Sequence, residues 1–275
     1  MTAELWIAAT SLVLLVLVFV PLERVFPARP GQPARRPELG IDLAFYLGQY
    51  LVFAGVAVTV LGSVHATLLP LSLGTWSGGL PLWTQVALAL VLGDLLTYWF
   101  HRACHRFAAL WRFHAVHHSS EHLDWLAAHR EHPLDGVMTQ LCINLPGMLL
   151  GLPFAALGGL IVFRGLWAIF IHSNVRVPLG PLRWLLGAPE LHHWHHARVP
   201  TTRHNFANLA PYLDLLFGTY HNPRGPETYP LGLTEPWPRR YLAQLARPFR
   251  PGPRQQLRCR SPEVLNEGCG LYRVS

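Results

Sequence analysis

Hydrophobic and polar positions fall in long blocks along this chain, not in the alternation of a half-buried strand. Leu5–Pro21 (LWIAATSLVLLVLVFVP) carries no charge over 17 residues, at the short end of what crosses a hydrocarbon layer about 30 Å thick. Its flank, Met-Thr-Ala-Glu, lacks the positive region of a cleaved signal peptide, so it reads as a retained span. The stretch 23–40 holds Arg24, Arg29, Arg35 and Arg36 with four prolines and reads as an irregular loop. Leu43–Leu61 is a second apolar run, broken only by Gln49 and Thr59; residues 62–80 carry no charged side chain. Leu82–Phe100 is a third run with a single carboxylate, Asp94, and Arg102, Arg106 and Arg112 follow it. Arginine therefore marks the first loop and the segment after the third run. The positive-inside rule then puts both in the cytoplasm and the N-terminus outside.

Residues 137–171 are apolar again but split by Gly151-Leu152-Pro153. The first half is short for a bilayer crossing at about 1.5 Å per residue. The second holds Arg164, expensive in lipid unless it faces protein. The pattern predicts a helical hairpin whose arms enter from and return to the cytoplasmic side. Residues 192–220 are mixed and polar. Beyond Asn222 the chain is rich in Pro and Arg, with a short amphipathic helix expected at 237–245 and a disordered tail from Pro251.

Composition agrees with a membrane chain. Of 275 residues 51% are hydrophobic and 13% charged, against about 25% charged in ordinary soluble domains; mean hydropathy is +0.25. All 22 basic residues are arginine and the formal net charge is +7. They do not cluster on a soluble module, so the excess reads as a topology signal and not as a nucleic-acid footprint. Four cysteines without a CxxC indicate neither a disulfide scaffold nor a thiolate zinc site.

Histidine carries the candidate chemistry. There are 16, eight of them between His101 and His132. His101 and His105 sit at i,i+4, on one helix face. His114, His117 and His118 sit at i,i+3,i+4, and His192, His195 and His196 repeat that spacing. His132 and His172 stand singly at the ends of the hairpin arms. All these groups end at one membrane depth. Solvated interfacial histidines would not repeat the spacing. Neutral imidazole ligates iron, zinc and copper, and ten imidazoles exceed the six positions of one octahedral ion, so the count implies two metals. No HExxH zincin motif is present. A nitrogen-rich pair of redox-capable metals beside lipid points to O₂ activation and attack on an unactivated C–H bond. Two other classes stay open: a zinc-dependent membrane hydrolase, which needs an open metal position and a nearby base, and a metal transporter, which would hold ligands at mid-membrane depth.

The segments from Asp94 through DLLTYWFHR, LWRFHAVHHSSEHLDWLAAHREHPLD, IFIHSNV, PELHHWHHAR and NFANLAPYLDLLFGTY to Tyr220 resemble the fatty acid hydroxylase/sterol desaturase superfamily. The resemblance implies an integral-membrane non-haem di-iron oxygenase that hydroxylates or desaturates a lipid (sterol or hopanoid, fatty acyl, carotenoid or ether lipid) with O₂ and external electrons. It carries over the same ten ligands: His101, His105, His114, His117, His118, His132, His172, His192, His195 and His196. His129 and His204 depart from the pattern and read as flanking groups. With no fused cytochrome b5 domain, electrons are expected from a separate ferredoxin, cytochrome b5-like protein or reductase. The composition resembles a GC-rich bacterial gene, hence an inner membrane.

The expected fold is all-α: about three transmembrane helices plus the hairpin, under a cytoplasmic histidine-rich cap holding a di-metal site. Residues 1–93 form an N-terminal transmembrane region, 94–222 the catalytic domain and 223–275 a C-terminal interfacial segment. Metal-bound histidines usually donate their other N–H to an acceptor; the candidates are Asp94, Asp124, Asp135, Glu190, Asn174 and Asn205. Asp94 is expected to bond a histidine of another helix. Trp99, Trp111, Trp125, Trp167 and Trp194 are expected in the core or the interfacial belt. At about 100° per residue His193 falls well off the arc shared by His192, His195 and His196, so it is expected to face away from the metals.

Overall fold

The computed structural model describes residues 3–199 and 203–250; the tail expected beyond Pro251 lies outside them. The described residues are helical with no strand, only isolated bridges between Pro27 and Val175 and between Ala197 and Leu231. Helix α1 spans Ala3–Val25. Helix α2 (Leu39–Gly48) passes through a π-helical turn at Gln49–Phe53 into α3 (Ala54–Leu68). Together with a 3-10 turn they form one apolar stretch, Leu39–Leu71, of 33 residues. That is longer than the run read from the sequence, because the helix continues into polar and glycine-containing positions at both ends. A single turn, α4 (Gly74–Ser77), leads to α5 (Leu82–Arg106), which continues past the apolar run to include His101 and His105.

Helix α6 (Ala108–His118) carries the second histidine group. The hairpin arms are α7 (Pro133–Leu149) and α8 (Phe154–His172). Gly151 between them adopts φ +73°, a left-handed conformation that glycine takes without steric cost. Helices α9 (Pro189–His195), α10 (Tyr212–Leu216) and α11 (Tyr241–Ala246) follow among the described residues. Among the described residues four stretches are long and apolar enough to cross a membrane: α1, the α2–α3 stretch, α5 and α8. Their surfaces leave Val13, Leu14, Leu17, Val56, Val58 and Val162 exposed, as lipid-facing positions require.

Packing inside the bundle is close. A Cβ on Gly93 of α5 would lie 2.5 Å from the Ile143 carbonyl of α7, so only glycine allows these helices to approach. Ala8, Leu15, Phe19, Tyr46, Trp125, Leu126 and Ile169 form one core cluster, and it takes in Trp125. Toward the other end Leu61, Ala89, Met148, Leu152 and Leu157 form another. Arg164 does face protein: its Nη1 pairs with Asp94 Oδ1 at 2.5 Å and its Nη2 donates to the Leu90 carbonyl at 2.7 Å. Asp94 thus bonds an arginine of α8, which corrects the expected histidine partner. The physical reason is charge: a buried cation and a buried carboxylate neutralise each other at a depth where neither could stand alone.

Candidate metal centre

Four elements bring their histidines to one end of the bundle. The polar end of α5 supplies His101 and His105. Helix α6 supplies His114, His117 and His118, the last residue of α8 is His172, and α9 supplies His192 and His195, with His196 at its cap. The imidazoles form two groups whose ring nitrogens lie within 4.8 Å of one another. One is His101, His105, His114, His118 and His195; the other is His117, His172, His192 and His196. The rings of His118 and His196 stack at 4.3 Å and join the groups into one layer.

The direction of the nitrogens tests whether metal ions fit. Five rings donate their Nδ1–H outward: His101 to the Phe206 carbonyl (2.7 Å), His114 to Asp135 Oδ2 (2.8 Å), His117 to the Arg130 carbonyl (3.1 Å), His172 to the Ala168 carbonyl (2.6 Å) and His195 to the His204 carbonyl (2.8 Å). That fixes the tautomer and leaves each Nε2 as a lone pair aimed inward. Inside, Nε2 atoms face one another at 3.2 Å (His114 and His118), 3.0 Å (His117 and His172) and 2.9 Å (His172 and His192). The Nε2 atoms of His101, His105 and His195 are buried with no hydrogen-bond partner. Converging lone pairs repel in a dry pocket unless a cation lies between them, so the donor set fits metal ions.

Electrostatics keep the donors ready. Burial first, then the neighbouring imidazoles, hold His117, His118, His192 and His196 well below the usual histidine range. His195 is pushed down to about 3, burial again being the largest cause. Neutral imidazole is the form that ligates.

His132 stands outside both groups. Its Nδ1 accepts from the Leu134 N–H at 3.1 Å, capping α7, and its Nε2 donates to the Leu245 carbonyl at 3.2 Å. Both ring nitrogens are used, so five and four imidazoles converge rather than ten. His129 packs edge-on against Tyr46 at 4.9 Å, and His204 lies 5.3 Å from His221, each outside the groups. His193 points away from the centre: Nδ1 meets Glu227 Oε2 at 2.7 Å and Nε2 meets the Ser173 carbonyl at 3.1 Å.

Of the six expected acceptors only Asp135 touches an imidazole of the groups. Asp124 instead pairs with Arg36 (2.6 and 2.7 Å) and accepts from the Leu126 and Ala127 N–H groups. Asn174 ties the first loop through the Arg29 N–H, and Asn205, at φ +58°, bridges Leu191 and His221 backbone. Glu190 lies near Arg183 and Arg176, on the far side of α9. Asp124, Asn174 and Asn205 thus anchor backbone, and backbone carbonyls take four of the Nδ1 positions.

Sequence reasoning missed the groups that hold those carbonyls. Arg130, buried beside His117, donates from Nε to Asp42 Oδ1 at 2.5 Å, and Arg36 pairs with the other oxygen of Asp42 at 2.5 Å. Asp214 accepts from Phe206 N–H, Ala207 N–H and Thr219 Oγ1 (2.8, 2.9 and 2.7 Å), fixing the turn whose Phe206 carbonyl anchors His101. A Cβ on Gly187 would lie 1.8 Å from the Asn208 carbonyl, so glycine is required where this turn crosses the chain before α9. Of the tryptophans, Trp111 does wall the site, 5.0 Å from His105 and 5.4 Å from His118.

Comparison with known proteins gives a consistent picture. Residues 86–219 match the family model described as fatty acid hydroxylase. The chain is 31% identical over 266 residues to an ornithine lipid hydroxylase of Rhizobium tropici, covering 91% of this chain and 78% of that protein. It is 32% identical over 164 residues to the alkylglycerol monooxygenase of Danio rerio, 56% of this chain but only 35% of that protein. A very-long-chain aldehyde decarbonylase of Oryza sativa subsp. indica is 32% identical over 146 residues, 51% of this chain and 55% of the plant protein. No solved structure matches.

Proposed function

Because the chain belongs to the fatty acid hydroxylase family, in which its relatives oxidise lipids, we propose that it is a membrane-bound di-iron hydroxylase. Its substrate would be an amphiphilic membrane lipid, with a lipid of the ornithine type as the first candidate. The observation that carries this reading is the convergence of nine imidazoles, five and four, where membrane helices meet a polar cap. Imidazole donors without thiolate or carboxylate suit iron, copper or zinc, and the pairing of two sites beside lipid favours iron.

Two iron ions, when bound, supply the O₂ chemistry that attacks an unreactive C–H bond. The overall balance takes one O₂, two electrons and two protons and gives an alcohol and water. A separate carrier, a ferredoxin or cytochrome b5-like protein, would deliver the electrons. The chain's own residues do the rest. Asp135 and four carbonyls hold the Nδ1 protons of His101, His114, His117, His172 and His195, so each of these five rings keeps one tautomer and one orientation. Phe206 and Trp111 pack against the rings and exclude water. The exposed apolar faces of the spans leave the lipid chain in the bilayer beside the site. The histidine-bearing end would face the cytoplasm of a bacterial inner membrane, where the arginine-rich first loop also lies.

The test is isotopic. Membranes containing the chain are incubated with ornithine lipid, a reductant and ¹⁸O₂, and the lipids are read by mass spectrometry. One labelled oxygen in the lipid, lost in His195→Ala, is expected. Oxygen drawn from water, or turnover that persists under strict anaerobiosis, overturns the reading.

A further inference from the structure

Behind α9 lies a polar cleft of about 510 Å³ that takes no part in holding the metals, within the range of small-ligand sites. Its walls include Arg176, Arg183, Glu190, Trp194, Asn222 and Arg224. At about 100° per residue, Glu190 and Trp194 fall roughly 150–170° from the centre of the arc of His192, His195 and His196. Cleft and metals therefore occupy opposite faces of one short helix, about one helix diameter (~10 Å) apart.

The charges in the cleft are unusual for a structural ion-pair network. Glu227, also in its wall, is used up by His193 and Arg29. Among the described residues, Arg176, Arg183, Arg224 and Glu190 form no ion pair within 4.0 Å. Arg183 Nε and Trp194 Nε1, both donors, and Asn222 Oδ1, an acceptor, are buried without a hydrogen-bond partner. Leaving such buried donors and acceptors unmet is costly, so a partner is expected. Three guanidinium groups without a carboxylate in contact call for an anion with two oxygens, and the Glu190 carboxylate, near Arg183 and Arg176 but paired with neither, can face a cation. The segment that bears Arg183 also exposes Leu182, Trp184, Leu185 and Leu186. Apolar and tryptophan side chains flanking an arginine mark a membrane interface, so the cleft sits where lipid heads lie.

We propose that this cleft binds the zwitterionic head of an amino-acid-headed lipid, its carboxylate on the arginines and its ammonium on Glu190. The proposal rests on the lipid-hydroxylase reading. It makes the cleft the element that selects the lipid and sets how far along the molecule the metals reach. The head itself touches no metal ligand.

The test compares Arg183→Gln with the unaltered protein on two lipids, ornithine lipid and a neutral 1-alkylglycerol, with iron content measured on each preparation. Loss of one charged hydrogen bond predicts about a tenfold rise in KM for ornithine lipid, with kcat and iron content within about twofold. KM for the alkylglycerol is unchanged, and Arg183→Lys recovers part of the loss. Glu190→Gln raises KM for ornithine lipid too, and a head acetylated at its amine no longer senses that change. Equal KM in Arg183→Gln and the unaltered protein overturns the proposal, and so does an equal rise for both lipids, which marks general interface anchoring. Inhibition by micromolar free ornithine also overturns it, since the ligand is then the amino acid and not the lipid. If the unaltered protein oxidises neither lipid, the hydroxylase reading has failed instead.

Discussion

Removing the guanidinium of Arg164 isolates the charge of Asp94 inside the bundle. Both side chains are buried, at 8% and 7% residue exposure, and they meet at 2.5 Å between α5 and α8. Breaking a buried pair from one side costs about 3–5 kcal/mol, because the remaining charge keeps its desolvation penalty without its partner. The Leu90 carbonyl loses its Arg164 donor as well. Arg164→Leu and Asp94→Leu are each expected to fall in this range. At roughly 2–4 °C per kcal/mol for a chain near this size, that is a drop of about 6–20 °C in the unfolding midpoint. The double variant Arg164→Leu/Asp94→Leu buries no charge and is expected to recover most of the loss. The assay is thermal unfolding in detergent followed by tryptophan fluorescence, with the four proteins forming a double-mutant cycle. Single variants within about 2 °C of the parent, or a double variant as unstable as either single, would refute the pairing as a buried mutual neutralisation.

Asp135→Asn is expected to weaken metal affinity about 10–100-fold by removing the charged acceptor of His114, whereas Asp124→Asn lowers the unfolding midpoint without changing affinity; competition with a chelator separates the two. His192→Ala should lose metal and nearly all activity, while His193→Ala, whose ring meets only Glu227 and Ser173, should keep most of its metal in elemental analysis. His132→Ala should likewise keep its metal and lose the cap on α7, worth about 1 kcal/mol, together with the bond to the Leu245 carbonyl. The metal-free protein should be most stable above pH 6.5, the ordinary histidine value, and lose stability as pH falls toward 3. Its buried imidazoles refuse protons that the unfolded chain accepts from 6.5 downward, with His195 down to about 3. A midpoint that stays flat on acidification would contradict that.

Block hydropathy placed the spans, the split at Gly151-Leu152-Pro153 and the histidine-bearing ends, because each is a local property of composition. The i,i+3,i+4 spacing likewise separated His192 from His193, since one turn of helix decides which way a side chain points. What could not be read were pairings between distant segments. Nothing local marks Arg130 as the residue whose carbonyl orients His117, nor Arg36 and Asp42 as its clamp roughly ninety positions earlier. The carboxylates looked like partners for imidazoles by chemistry alone, yet backbone carbonyls took four of those places and a salt bridge took Asp94. His132 shared the type and approximate depth of the others, but the start of α7 needed a cap and used its Nδ1.

The claim that five and four imidazoles hold two irons is tested most directly by counting metal in the purified protein. After anaerobic loading with ferrous iron and removal of excess, the account predicts about two irons per chain. His118→Ala, from the first group, and His196→Ala, from the second, should each retain no more than about one. A single metal per chain, stoichiometric zinc that iron does not displace, or full loading in the His118→Ala/His196→Ala double variant would contradict it.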